Sequence, residues 1–243
     1  MKPILELKAV SKRFGAVSAV DRLDLRLDKG EALGVIGPNG AGKTTMFNII
    51  AGGVGVDRGQ VFFEGEEITR MPAFQRCRRG IARSYQIPHP FAGMSVFENL
   101  LVGATFGVHQ AEHEGHRRCV GLLEQIGLLA KANVPAGRLT LLERKRLELG
   151  RALATSPKLL LLDEIAGGLT EHECRALVAT VREIRSSGVS IIRIEHIVHA
   201  LVAVVDRLMV INFGKKIEDG DPMAVIASPV VQEAYLGIEV DAP

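Results

Sequence analysis

Polar and apolar positions alternate through the first part of the chain. Leu23, Leu25 and Leu27 are interleaved with Arg22, Asp24 and Arg26, residues 4 to 10 alternate in the same way, and Val61-Phe62-Phe63 adds a third short segment. A period of two buries one face of a strand and wets the other, as in antiparallel sheets. Further on the apolar runs become solid. Ala32 to Ile36, Leu159 to Leu162, Val189 to Ile194 and Leu208 to Ile211 read as strands of a parallel sheet covered on both faces. Helices are expected between them. Thr170 with Glu173 forms a capping-box pattern that opens a helix ending at Ser186-Ser187-Gly188, and Ser95 with Glu98 repeats it. Residues 95 to 155 read as helical throughout and interrupt the sheet pattern between Tyr85 and Leu159. Near the end Ser228 reads as an N-cap, Pro229 as the first helical residue and Gly237 as the stop.

Composition narrows the class. With 243 residues, 47% of them apolar, the chain has material for a large core and is too apolar for disorder. Its net charge of +2 argues against nucleic acid as a main partner. Cys77, Cys119 and Cys174 are far apart and lack a CxxC pair, which fits a reducing compartment and small apolar packing for Cys119 and Cys174. The N-terminus has no stretch resembling a signal peptide, and every apolar run is far shorter than the roughly 20 residues a membrane-spanning helix needs. Membrane contact is therefore expected to be peripheral. Arg70, Arg76, Arg78, Arg79 and Arg83 lie in a stretch without carboxylates and are read as a helix ending at Gly80, where cations suit the C-terminal dipole, in preference to an RNA surface. His109, His113 and His116 have helical spacing, but a solvated polar insert accounts for them better than zinc does.

The chemistry begins at Gly37-Pro38-Asn39-Gly40-Ala41-Gly42-Lys43-Thr44, a GxxxxGK[ST] match lying directly between the strand Ala32 to Ile36 and a helix-like stretch from Thr44 to Ile50. That context is the one a phosphate loop requires. Glycines let backbone wrap an anion, a helix N-terminus points N–H groups at it, Lys43 reaches the β and γ phosphates, and Thr44 reaches Mg²⁺. Leu159 to Leu162 then ends in Asp163 and Glu164. Beside a phosphate loop, such a pair suits a metal carboxylate and a base for an attacking water. His196 follows another apolar strand and, taken alone, reads as an ordinary core or surface histidine.

The order of these pieces resembles the nucleotide-binding subunit of ABC transporters over essentially the whole chain. Phe14 before Gly15 is similar to the adenine-stacking loop, Gly37 to Thr45 to Walker A, and Gln86 to the Q-loop. Asp163 and Glu164 resemble Walker B, Gly167 to Thr170 the D-loop, and His196 the switch histidine, while Leu139 to Glu143 stands at the signature position. The resemblance implies an α/β fold. It would be a P-loop NTPase, with a RecA-like core, an N-terminal antiparallel β subdomain and a helical subdomain inserted at about 87 to 155, in a single domain spanning 1 to 243.

It also implies ATP and Mg²⁺ as cofactors. Phe14 would stack on adenine, and Gly37, Pro38, Asn39, Gly40, Ala41, Gly42, Lys43, Thr44 and Thr45 would hold phosphates. Thr44, Gln86 and Asp163 would serve the metal, Glu164 would be the general base, Gln86 would sense the γ-phosphate, and His196 would stabilise the transferring group. The implied partners are transmembrane permease subunits and a second ATPase subunit, identical or paralogous, at the cytoplasmic face of the cell membrane. Within the family, Lys145 to Asp163, Glu195-His196 and Ser228 to Gly237 look most like importers of the branched-chain amino-acid type, as does the expectation of no regulatory domain beyond about residue 238.

Three positions depart from the family pattern. The signature is close to LSGGQ in the family and here reads Leu139-Thr140-Leu141-Leu142-Glu143, so Thr140 keeps a hydroxyl for a γ-phosphate across a dimer while both glycines are lost. Ile165 stands where Pro follows Walker B, and Thr170 where the D-loop has Asp. These departures bear on the composite site, not on the nucleotide-binding core. Two rival readings stay open at this stage. One is a subunit that binds nucleotide for regulation or assembly with little hydrolysis. The other is a small-molecule kinase, against which Asp163-Glu164 and His196 argue.

Overall fold

A computed structural model describes residues 2–107, 112–195 and 198–236. The chain opens with β1 (Pro3–Phe14), β2 (Val17–Asp28), β3 (Ala32–Ile36), α1 (Lys43–Ala51), β4 (Arg58–Phe63) and β5 (Glu66–Glu67). It continues with α2 (Ala73–Arg79), β6 (Ile81–Ser84), α3 (Val96–Gly107), α4 (Glu112–Gln125), α5 (Leu141–Ala154), β7 (Leu159–Asp163) and α6 (Glu171–Ser186). It closes with β8 (Ser190–Ile194), α7 (Val198–Val202), β9 (Arg207–Asn212), β10 (Lys215–Gly220), α8 (Pro222–Ala227) and α9 (Pro229–Leu236). These elements form two compact units, one of residues 1–73 and 190–243, the other of residues 74–189.

In the first unit an antiparallel sheet has the order β2-β1-β4-β5. Leu23, Leu25 and Leu27 of β2 are buried while Asp24 and Arg26 are exposed, as the alternation requires. In β1 the period slips. Leu5 and Leu7 are buried, and the next inward residue is Val10 because Ala9 sits in a bulge at φ 47, its N–H donating to Asp24 Oδ1 at 2.8 Å. A bulge inserts one residue without reversing the strand's faces beyond it. The second sheet of this unit is built on β3, which pairs in parallel with β8 and β9, while β10 pairs antiparallel with β9. All five residues of β3 are buried, which explains its solid apolar run.

In the second unit β6 and β7 pair in parallel, and α3, α4 and α5 pack on one another. Glycine permits the close approach: a Cβ at Gly103 of α3 would lie 2.8 Å from the Arg151 carbonyl oxygen of α5. Two predicted caps are present. Thr170 Oγ1 accepts from the Glu173 N–H and the Glu173 carboxylate accepts from the Thr170 N–H, and α6 ends at Ser186 before Gly188 at φ 90. Ser95 and Glu98 form the same reciprocal bonds at α3.

Several details differ from the sequence reading. Segment 95 to 155 contains two 3₁₀ turns, Leu129–Lys131 and Ala136–Arg138, and an isolated bridge between Ser95 and Pro135, so it is not helical throughout. Ser228 precedes α9 as expected, but its hydroxyl donates to Glu218 while its carbonyl accepts from Val231 and Gln232. Gly237 lies outside the described residues. The arginine cluster is not one solvated helix face. α2 does end before Gly80 at φ 106, yet Arg76 is buried, which lowers its guanidinium to a pKa of about 10, and Arg83 belongs to β6. Cys119 and Cys174 are buried free thiols, as expected. His109 lies outside the described residues. Among those that are described, no three metal-ligating side chains gather.

Candidate active site

The loop between β3 and α1 is closed against its own unit. Gly37 has φ 153, and a Cβ there would lie 2.0 Å from the Ile211 carbonyl oxygen. Gly42 has φ 105, and a Cβ would fall 2.2 Å from the Ala19 carbonyl oxygen. The turn between β9 and β10 braces the loop: the Gly214 N–H donates to the Ala41 oxygen at 2.9 Å, and the Gly214 oxygen accepts from the Asp21 N–H at 2.9 Å. The crest is open by contrast, since a Cβ at Gly40 would meet nothing within 4 Å.

Lys43 is buried, and its Nζ donates to the carbonyl oxygens of Gly37 and Pro38 at 2.7 and 3.0 Å. It begins α1, whose first-turn N–H groups have no acceptors inside the helix. Thr44 is exposed on that turn and Thr45 half-buried. Phe14 ends β1 at the hairpin turn, 50% exposed, with Lys12 Nζ 5.5 Å from its ring centroid. A loop of this construction fits a polyphosphate: cation, donors and open crest share one strand-to-helix turn.

In the second unit β7 is wholly buried up to Asp163, and the chain then turns at Glu164, which adopts φ 46. A non-glycine residue in this left-handed region is strained, and such residues gather at functional sites. The Gln86 amide donates to the Glu164 carboxylate. The Glu164 carbonyl accepts from the Gly167 N–H at 3.2 Å and from Lys145 Nζ at 3.4 Å. Arg83 Nη2 donates to Asp163 Oδ2 at 2.6 Å. Sequence reasoning named Gln86, Asp163 and Glu164 but missed Arg83 and Lys145.

The segment after Gln86 is held by α3 and α5. Asn99, fully buried, accepts from the Phe91 N–H at 2.9 Å and donates to the carbonyls of Phe91 and Ser95 at 3.1 and 2.9 Å. Arg151 donates to the His89 carbonyl and to Glu148, each at 3.0 Å, and lies 5.0 Å from the Phe91 ring centroid. Burial pushes the Glu148 carboxyl up, against the pull of Arg151 and the Tyr85 N–H. Thr140 caps α5: its Oγ1 accepts from the Glu143 N–H, and the Glu143 carboxylate accepts from the Thr140 N–H and from Lys131. This box follows the same Thr-x-x-Glu spacing that identified α6 and was legible in the sequence. His196 lies outside the described residues.

The sequence profile of the ABC transporter family matches residues 20–167, more than half of the chain. The chain belongs to the ABC transporter family. It is an ATP-binding, ATP-hydrolysing cassette subunit with the α/β fold of P-loop NTPases. It is 35% identical to the high-affinity branched-chain amino acid transport ATP-binding protein BraF of Pseudomonas aeruginosa, over 97% of this chain and 98% of BraF. It is 34% identical to LivG of Escherichia coli, which has the same description, over the same shares. A solved ATP-binding cassette of an ABC transporter in its ADP conformation superposes with a TM-score of 0.89 at 31% identity, covering 98% of this chain and all of that one. Among the described residues of the cassette, no helix is long and apolar enough to cross a membrane.

Proposed function

We propose that this cassette is the ATPase subunit of an importer for branched-chain or related amino acids, working at the cytoplasmic face of the cell membrane with permease subunits and a second ATPase subunit. The observation that carries the reading is the near full-length similarity to BraF and LivG. On this reading residues 1 to 243 act as one nucleotide-binding domain, with the helical insert at about 87 to 155. Phe14 stacks on adenine, and Gly37 to Thr45 hold the phosphates, with Lys43 turning its charge from the loop carbonyls to the β and γ phosphates.

Thr44 and Asp163, with Gln86, would hold Mg²⁺. A single carboxylate with hydroxyl and amide oxygens suits that ion, which keeps water and shares phosphate oxygens. Bound there, the metal would neutralise charge developing on the phosphates. Glu164 accepts the proton of the attacking water, Gln86 reports the γ-phosphate to the helices that hold residues 85 to 95, and His196 supports the transferring group. Thr140 offers its hydroxyl to a phosphate in exchange for its bond to the Glu143 carboxylate, while its oxygen keeps the Glu143 N–H. The test is reconstitution with the permease and binding protein in vesicles, comparing ATP-driven uptake of leucine, isoleucine and valine with that of urea and acidic amino acids. Uptake confined to solutes other than amino acids would overturn the substrate class.

A further inference from the structure

The pairing of Arg83 with Asp163 has no part in the roles given above. Arg83 stands on β6 opposite Leu161 of β7. Side chains return to one face of a strand every second residue, so Asp163 comes next along that face, within diagonal reach of a long guanidinium. The two side chains are 8% and 5% exposed, with 2.6 Å between Nη2 and Oδ2. The guanidinium also lies 5.0 Å from the centroid of the Tyr85 ring. Buried ion pairs rarely stabilise a fold more than apolar side chains of the same volume would, because desolvating both charges offsets their attraction. Packing alone gives no reason for a cation here.

We infer that Arg83 is a positioning residue that neutralises Asp163 and so keeps divalent metal from binding there before nucleotide arrives. The inference rests on the reading of Asp163 as a metal carboxylate. Mg²⁺ sheds water reluctantly and is retained by carboxylates together with substrate phosphates. A carboxylate already matched by a guanidinium offers it little net charge. Phosphates supply the missing negative charge, so the metal enters with the nucleotide and not ahead of it. A purely structural Arg83 predicts the opposite sign: its removal would disorder Asp163 and weaken any metal binding.

The experiment is a titration of the whole chain with Mn²⁺, followed by electron paramagnetic resonance without nucleotide. It compares wild type, Arg83→Met, Arg83→Gln, Asp163→Asn and Arg83→Gln with Asp163→Asn. Removing the competing charge should tighten Mn²⁺ binding by about tenfold or more. Adding Asp163→Asn should abolish that gain. Arg83→Gln keeps a donor for Asp163 without the charge and replaces the methionine variant if that one does not fold. Unchanged or weaker binding in folded Arg83→Gln overturns the inference, as does a gain that survives Asp163→Asn. The underlying reading is tested separately with ADP present, where Asp163→Asn should weaken Mn²⁺ binding; an unchanged affinity there removes Asp163 as a metal carboxylate.

Discussion

Gln86 donates its side-chain amide to the carboxylate of Glu164, a residue whose backbone is held at φ 46. The bond and the strained turn together fix where that carboxylate sits. Glu164→Gln keeps the shape and can still bond Gln86, but it has no basic oxygen pair. The variant is expected to bind ATP as wild type does and to lose about 10² to 10⁴ in hydrolysis rate, the usual contribution of a positioned base. Phosphate release by the intact transporter complex is the measurement. Wild-type turnover would remove Glu164 from the role of base.

Phe91 is 46% exposed although Asn99 fixes its backbone and Arg151 lies over its ring. An apolar ring presented on a clamped loop suits contact with a permease. Phe91→Asp should leave the unfolding free energy within about 1 kcal/mol of wild type, because a surface change away from the core costs little and the new carboxylate faces Arg151. Transport by the assembled complex should fall severalfold more than ATP binding does. Normal uptake and normal co-purification with the permease would rule out this docking role.

Glu148 supplies a pH test. Burial raises its carboxyl above the ordinary glutamate value of 4.5, so the folded protein binds its proton more tightly than the unfolded chain does. Stability from this group is therefore present at low pH and lost as pH rises from 4.5 through the raised value. Glu148→Gln removes that dependence. The stability of the variant relative to wild type should improve as pH increases across this window, measured by urea denaturation at several pH values. A flat difference would show that Arg151 and the Tyr85 N–H compensate the burial fully.

Much of this was legible in sequence because the decisive signals are local. The phosphate loop, Asp163 with Glu164, and the Thr170 and Ser95 caps each lie within a few residues of chain. What escaped depends on pairing between distant segments. Arg83 reaches Asp163 only because β6 lies beside β7 in parallel, and no periodicity within Ile81-Ala82-Arg83-Ser84 announces that neighbour. β10 was missed because Lys215 to Gly220 is polar, an edge strand held by the hairpin with β9. The bulge at Ala9 was invisible for a similar reason: its bond partner, Asp24, lies on the next strand.

The N-terminus of α5 is capped from within the chain at the Glu143 N–H, and this bears on the pairing with a second ATPase subunit proposed above. Leu141 occupies the first helical position, 46% exposed, with its Cδ2 3.3 Å from where a Cβ on Gly168 would sit. Burial pushes the Glu143 carboxyl up, but hydrogen bonds from Lys131 and Thr140 outweigh it, so the group stays ionised below its usual range. An incoming phosphate would meet two leucine side chains and a carboxylate that holds Lys131 to itself, where an open helix terminus would attract it. In the Glu164→Gln background, Leu141→Gly with Leu142→Gly should strengthen ATP-dependent dimerisation, read by light scattering, and Glu143→Gln should strengthen it further. The glycines should also lower stability by about 0.5 to 1 kcal/mol each through backbone entropy, so a gain in dimer alongside a lower Tm separates anion access from general stabilisation. A tight ATP-bound homodimer with Leu141 and Leu142 intact would overturn the argument, because the terminus would then accept phosphate as it stands.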